Sequence, residues 1–220
     1  MKSELCIVII AHNQCKLVQQ QLKNYEAFAP KKEVQILVVD NASTDTALYQ
    51  WLQKQHKYQY IRYEEMEDFS IVLNKIIHKQ AKRKDIFILG AHMILLPYCI
   101  ERMQEVLYQD DMVGAVCPEA IFFGSEHGKN VMEAIQYVQK VKTHKSKAVF
   151  LNKDAVCFRH DFLQKIGDFE QSLLRPDEVI QEQMIRGREK EYSFYNVQGA
   201  DVFQLIEPGD MYQKKYGVGY

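Results

Sequence analysis

Short β-branched runs alternate with longer amphipathic stretches through the first half of the chain, the pattern of parallel strands joined by crossover helices. Residues 5–11 (LCIVIIA) are almost continuously apolar, as a strand covered on both faces must be. Residues 15–28 follow with Val18, Leu22 and Tyr25 at helical spacing, and 34–39 return to an apolar strand that ends in Asp40-Asn41. Ser43 is suited to cap a helix carrying Leu48, Trp51 and Leu52, which completes a β-α-β unit. A third strand at 58–63, a helix at 69–82 with Val72, Leu73, Ile76 and Ile77 on one face, and a fourth strand at 86–89 extend it. Pro97 suits the first turn of a helix with the stripe Ile100, Met103 and Leu107, and 113–117 predicts a fifth strand.

Beyond residue 117 the periodicity loosens: a helix near 131–141, a strand near 148–158, a short helix from Asp161 and a helix over 177–188 predict α+β material packed on the sheet. No repeat or Pro/Gly-rich linker interrupts the 220 residues, so a single domain is expected, and 47% hydrophobic residues give it a substantial core. Lys and Arg number 28 against 29 Asp and Glu, which leaves no field to draw in nucleic acid or an anionic membrane. The longest apolar stretch, 86–100, is broken by Gly90, His92 and Pro97 and is shorter than the ~20 residues that span a bilayer. The opening MKSELCIVIIAHNQ lacks the long apolar region of a signal peptide, so a cytoplasmic protein is expected. Five cysteines (Cys6, Cys15, Cys99, Cys117, Cys157) without a C-x-x-C pair predict reduced, mostly buried thiols.

In open α/β sheets ligands bind beyond the carboxyl ends of the strands. Four such ends carry chemistry here: Ala11-His12-Asn13, the run from Asp40 to Asp45, residues 64–69, and Gly90-Ala91-His92. Asp40 is placed to accept a hydrogen bond from a base imide or ribose hydroxyl, or to form an Asx-turn into the next helix; the spacing allows both. His12 and His92 each stand at a strand end, where a lone His serves as hydrogen-bonded scaffold or as a ligand. Arg159, Arg175 and Arg186 are the other cationic candidates, Arg175 standing beside the acidic pair Asp177-Glu178. Residues 124–130 (GSEHGKN) imitate a P-loop one residue short and without its hydroxyl, and are read as a loop. Lys75, Lys79, Lys82, Arg83 and Lys84 complement a helix C-terminus, with a phosphate-bearing or lipid-linked ligand as the other use of that charge.

The run Ile7-Val8-Ile9-Ile10-Ala11-His12-Asn13, followed by Val38-Val39-Asp40-Asn41-Ala42-Ser43-Thr44-Asp45, resembles the opening of family 2 glycosyltransferases, which reads I-I-P-x-Y-N and then V-V-D-N-x-S-T-D. The similarity continues in order through Phe69-Ser70 to Asn74, Ile94-Leu95-Leu96-Pro97, Val113-Gly114-Ala115-Val116 and Ile166-Gly167-Asp168-Phe169-Glu170. The resemblance implies the glycosyltransferase-A fold: an α/β chain with a mainly parallel twisted sheet flanked by helices, a nucleotide-binding half over 1–119 and an α+β acceptor-side half over 120–220. It implies a nucleoside diphosphate sugar, a uridine one, held by Ala11, His12, Asn13, Asp40, Asn41, Asn74, Gly90, Ala91 and His92. The family's cation-holding D-x-D aligns with Gly90-Ala91-His92, and a late His with Gln204, so no metal site is expected; the first and fourth strands are neighbours in the implied fold, so His12 and His92 could face one ligand or one soft cation, with His92 the ligand candidate for Mn²⁺ or Mg²⁺.

The family's E-D pair, which supplies the base, aligns with Asp177-Glu178 in reversed order, and its following acidic residue and Arg have no counterparts at Ile180 and Met184. The expected activity is inverting transfer, without a cation, to a hydroxyl of a glycan, lipid-linked or protein acceptor. The alternative is a catalytically inactive relative, a nucleotide-binding or structural subunit that partners an active transferase, in an oligomer of like or unlike chains. A nucleotidyltransferase is disfavoured because no Gly-rich phosphate loop follows the first strand.

Overall fold

The computed structural model describes residues 4–28, 34–44, 46–122, 125–126 and 129–205. Asp45 and, within the 124–130 segment, Gly124, His127 and Gly128 lie outside the described residues.

The first half forms β1 (Glu4–Ala11), α1 (Cys15–Phe28), β2 (Gln35–Asn41), α2 (Ala47–Leu52), β3 (Gln59–Tyr63), α3 (Phe69–Lys79) and β4 (Lys84–Leu89). These strands pair in parallel in the order β3-β2-β1-β4. Ala11 faces Asp40 and Asn41 faces Tyr63, so the carboxyl ends align along one edge. Successive strand residues serve opposite cores, which is why the strands read as unbroken apolar runs. Ile7, Ile9, Val38 and Phe87 pack with Val18 and Leu22 of α1 and Leu48 of α2. Cys6, Val8, Leu37 and Ile88 face the other way, toward Leu73 and Ile76 of α3.

The second half adds β5 (Met93–Leu95), α4 (Cys99–Leu107), β6 (Val113–Phe122), α5 (Val131–Val138), β7 (His144–Lys147), β8 (Ala155–Phe158), α6 (His160–Ile166), α7 (Pro176–Glu189) and β9 (Ser193–Gln204). Its strands do not pack on the sheet but continue it as β4-β8-β6-β9-β5, with β7 also on β9. β8 runs antiparallel to β4 and β6, and β9 runs parallel to β6. Because β8 enters beside the end of β4, with Ala155 opposite Leu89, residues 152–154 lie on the edge where β1 to β4 end.

Three local expectations are corrected. Ser43 does not cap α2; Thr46 precedes that helix, and the Ser43 hydroxyl instead accepts from the Asn13 amide. Pro97 stands outside α4, which starts after Tyr98 in a left-handed conformation. The expected strand over 148–158 survives only as β8, because Asn152 turns the chain: its side chain accepts from the Asp154 amide and its carbonyl from the Ala155 amide. β5 and the long β9 went unread; in β9 the run Gln198 to Ala200 is bulged out between Val197 and Asp201, with Gly199 at φ 85°, which interrupts the period of two.

Cys6, Cys99, Cys117 and Cys157 are buried free thiols, and desolvation pushes those of Cys6 and Cys117 up to about 12. No helix of the described residues is long and apolar enough to cross a membrane.

Asp201 in β9 is 1% exposed; its Oδ1 accepts from the Gly199 amide and its Oδ2 has no hydrogen-bond partner. Burial pushes its carboxyl from 3.8 up to about 6. The folded chain therefore holds a proton there that the unfolded chain has released, and the stability from this group falls as pH rises from about 4 to about 6. Asp201→Asn should flatten that fall and raise stability at pH 7.5 by roughly 1–2 kcal/mol relative to pH 4. Urea titrations of both proteins at the two pH values measure the difference; parallel curves would refute it.

Candidate functional site

The ends of β1 and β2 are tied together by short-range hydrogen bonds. The Asn13 amide donates to the Ser43 hydroxyl at 2.9 Å, and Asn13 Oδ1 accepts from the Thr44 amide at 2.8 Å and its hydroxyl at 3.0 Å. His12 Nδ1 donates to the Asn41 carbonyl at 2.9 Å, which leaves Nε2 to accept from Asn13 Nδ2 at 3.0 Å. Asn13 and Ala42 both adopt left-handed conformations, at φ 56° and 59°. Asn tolerates that region, whereas Ala does so at a cost of about 1–2 kcal/mol, so the surrounding bonds hold a strained corner. His12 and Asn13 are exposed on its rim, while Ala11 is buried beneath.

Asp40 is 1% exposed. Its Oδ1 accepts from the Ser43 amide at 3.1 Å, the Asx-turn the sequence left open, and its Oδ2 accepts from Arg62 Nη1 at 2.7 Å. Arg62 stands opposite Asp40 in the β2–β3 register, also donates to the Ser43 carbonyl, and lies over the Tyr49 ring. Arg62 thus compensates the buried charge of Asp40, and with Thr46, Tyr49 and Glu64 it lines an open groove of about 500 Å³. The buried Asn41 amide bonds the Glu67 backbone in both directions and fixes the segment leading into α3. Asp40→Asn should lower stability by about 1–2 kcal/mol, because the half-buried guanidinium loses its anionic partner. Donor affinity should fall with it; a variant with unchanged melting and binding would detach Asp40 from both roles.

At the end of β4, Gln21 of α1 donates to the carbonyls of Gly90 and Met93, and the Gly90 amide donates to the Asp154 carbonyl at 2.7 Å. The His92 ring is 4% exposed and packs against Gly90, where a Cβ would stand 2.8 Å from Cε1 and 3.1 Å from Nδ1. Its Nδ1 has no hydrogen-bond partner, and Nε2 is 3.8 Å from Asp154 Oδ2, too far for a hydrogen bond. Burial holds the imidazole below its ordinary pKa and favours the neutral ring. The same Asp154 oxygen lies 2.5 Å from Lys153 Nζ.

His12 and His92 therefore do not converge: one is exposed and bonded to Asn41 and Asn13, the other is buried over Gly90. No carboxylate stands at 90–92, the ring takes the room a side chain at 90 would need, and no group of three His, Cys, Asp or Glu among the described residues could hold a metal ion. These residues do not fit a divalent cation.

Asp177 and Glu178 open α7 with side chains 44% and 47% exposed, at 2.9 and 3.8 Å from Arg175. Both acids therefore stand open to solvent at the start of α7. Gln181, one turn on, donates to the Leu151 carbonyl and lays the start of α7 against the segment that carries Lys153. Asn74 is buried and bonded both ways to the Phe169 backbone, so its part is to hold the turn that leads toward α7. Arg159 belongs to the opposite edge of the sheet, where it pairs with Asp111 and lies over Tyr108 near the start of β4. Arg186 is engaged by the Ile166 and Asp168 carbonyls and by Glu182. Lys75 pairs with Glu67 and Lys84 with Glu4.

The sequence profile of glycosyl transferase family 2 matches residues 6–172, and the chain belongs to that family. No curated protein matches the sequence. Among solved structures, GalNAc-T7 with UDP, GalNAc and Mn²⁺ superposes with a TM-score of 0.76 at 14% identity, over 94% of this chain and 44% of that one. The mannosyltransferase PcManGT from Pyrobaculum calidifontis, in complex with GDP-Man and Mn²⁺, gives 0.69 at 16% identity, over 97% and 60%. The fold is thus that of the glycosyltransferase-A enzymes, and the chain spans about half the length of these two structures.

Proposed function

We propose that the chain transfers a sugar from a nucleoside diphosphate sugar, a uridine one, to an acceptor hydroxyl on a glycan, lipid-linked or protein substrate, with inversion and without a divalent cation. The observation that carries this reading is the tied corner of His12, Asn13, Asp40, Ser43 and Thr44 at the strand ends of a family 2 fold, with Arg62 opening from it. It offers fixed polar groups for a nucleoside before any ligand arrives, so little ordering is left to be done on binding.

In the reaction the acceptor oxygen attacks the anomeric carbon, the bond from that carbon to the diphosphate breaks, and its electron pair leaves on the diphosphate. The acceptor proton passes to Glu178 or to Asp177 beside it. Charge developing on the diphosphate must meet fixed donors or a cation. Gly90, Ala91 and His92 offer no carboxylate to a metal, and no group of three ligands stands among the described residues, so on this reading protein groups do this.

A second reading, an inactive subunit that partners an active transferase, is favoured by one observation: both acids of the base pair are half exposed and occupied with Arg175. Incubating the chain with a panel of UDP- and GDP-sugars and candidate acceptors, with Mn²⁺ and with chelator, separates the two. Product or released nucleoside diphosphate in chelator supports the enzyme. Product only after a partner transferase is added supports the subunit.

A further inference from the structure

The strand order β2-β1-β4-β8 sets a direction for a ligand along the edge. With neighbouring strands ~4.8 Å apart, the step from the end of β1 to the start of β8 is about 10 Å, the reach from a ribose to the far phosphate of a nucleoside diphosphate. A nucleoside at the β1–β2 corner would thus carry its phosphates over Gly90-Ala91-His92 and onto residues 152–154. That position holds Lys153.

We infer that Lys153 supplies the positive charge for the donor's diphosphate at the place where the family's carboxylates would hold a cation. This rests on the donor-site reading above.

Four features of the structure point there. The His92 ring lies against Gly90, in the room a side chain at 90 would take, so position 90 itself offers the phosphates no charge. Asp154 is fixed next to that position by the Gly90 amide, and its carboxylate oxygen grips the Lys153 ammonium at 2.5 Å. The pair is polarised outward: the Asp154 side chain is 15% exposed and turned toward buried His92, while the Lys153 side chain is 27% exposed. An ammonium carries three donors, which suits it to phosphate oxygens. Arg175, at the start of the neighbouring helix, is already set against Asp177 and Glu178.

Lys153 on this account contacts the ligand, and Asp154 and His92 position it. The test is calorimetric titration of UDP and of uridine, in chelator, into the wild type, Lys153→Gln and Lys153→Arg, with melting curves alongside. Lys153→Gln should weaken UDP by about tenfold or more, the loss of a charge-assisted hydrogen bond, and leave uridine unchanged. Lys153→Arg should keep most of the UDP affinity. The UDP affinity of the wild type should fall with salt more steeply than that of Lys153→Gln. Unchanged UDP affinity in Lys153→Gln overturns the assignment, and so does an equal loss for UDP and uridine, which would mark a structural role. A wild type that binds neither UDP nor GDP, with Mn²⁺ or without, overturns the donor-site reading itself and this inference with it.

Discussion

Glu178→Gln is expected to cut turnover by about 10²–10⁴-fold with donor binding unchanged, the signature of a lost general base. The structure gives a reason to test Asp177→Asn alongside it. Both acids open α7 within reach of Arg175, and the closer contact is that of Asp177. Each acid is half exposed and stands against Arg175, so an acceptor hydroxyl that reaches one of them takes the place of that contact. That predicts unequal effects: the acid facing the acceptor hydroxyl loses turnover, and its neighbour changes the acceptor KM instead. If both variants keep full turnover and lose only roughly 0.3–1 kcal/mol of stability, the acids merely complement the N-terminus of their helix.

Rebuilding the family's cation motif should give the second large effect, and its order matters. Gly90→Asp alone forces a Cβ to within 2.8 Å of a buried imidazole and should destabilise the fold by about 3 kcal/mol. His92→Asp removes that ring, so the double variant should be more stable than the sum of the single changes implies. With both carboxylates present, Mn²⁺ should raise UDP affinity by at least about tenfold, where the wild type responds little. Denaturant titrations measure the non-additivity and calorimetry the response to Mn²⁺. Strict additivity would show that the two side chains do not compete for one space.

Both experiments turn on residues that the sequence exposed unequally. The strands β1, β2 and β4 were legible because burial on both faces leaves continuous apolar runs, and α1 because its 3.6-residue period is unbroken. The corner at Asn13 and Ser43 was legible as a pair of strand ends, though not the exchange of bonds that diverts Ser43 from capping. Arg62 could have been found, since aligning the ends of the second and third strands places it opposite Asp40. Lys153 could not: it reaches the edge only because β8 enters antiparallel beside β4, a pairing between residues far apart in sequence that no local period announces. For the same reason Arg159 looked eligible for the site, although it leaves β8 at the opposite edge.

A donor site that works without a divalent cation is tested most directly by calorimetric titration of UDP-sugars, then GDP-sugars, into the wild-type chain in chelator and again in Mn²⁺. Saturable binding of a UDP-sugar with the same affinity in both conditions is the predicted result; binding that requires Mn²⁺, or no binding in either condition, would contradict it.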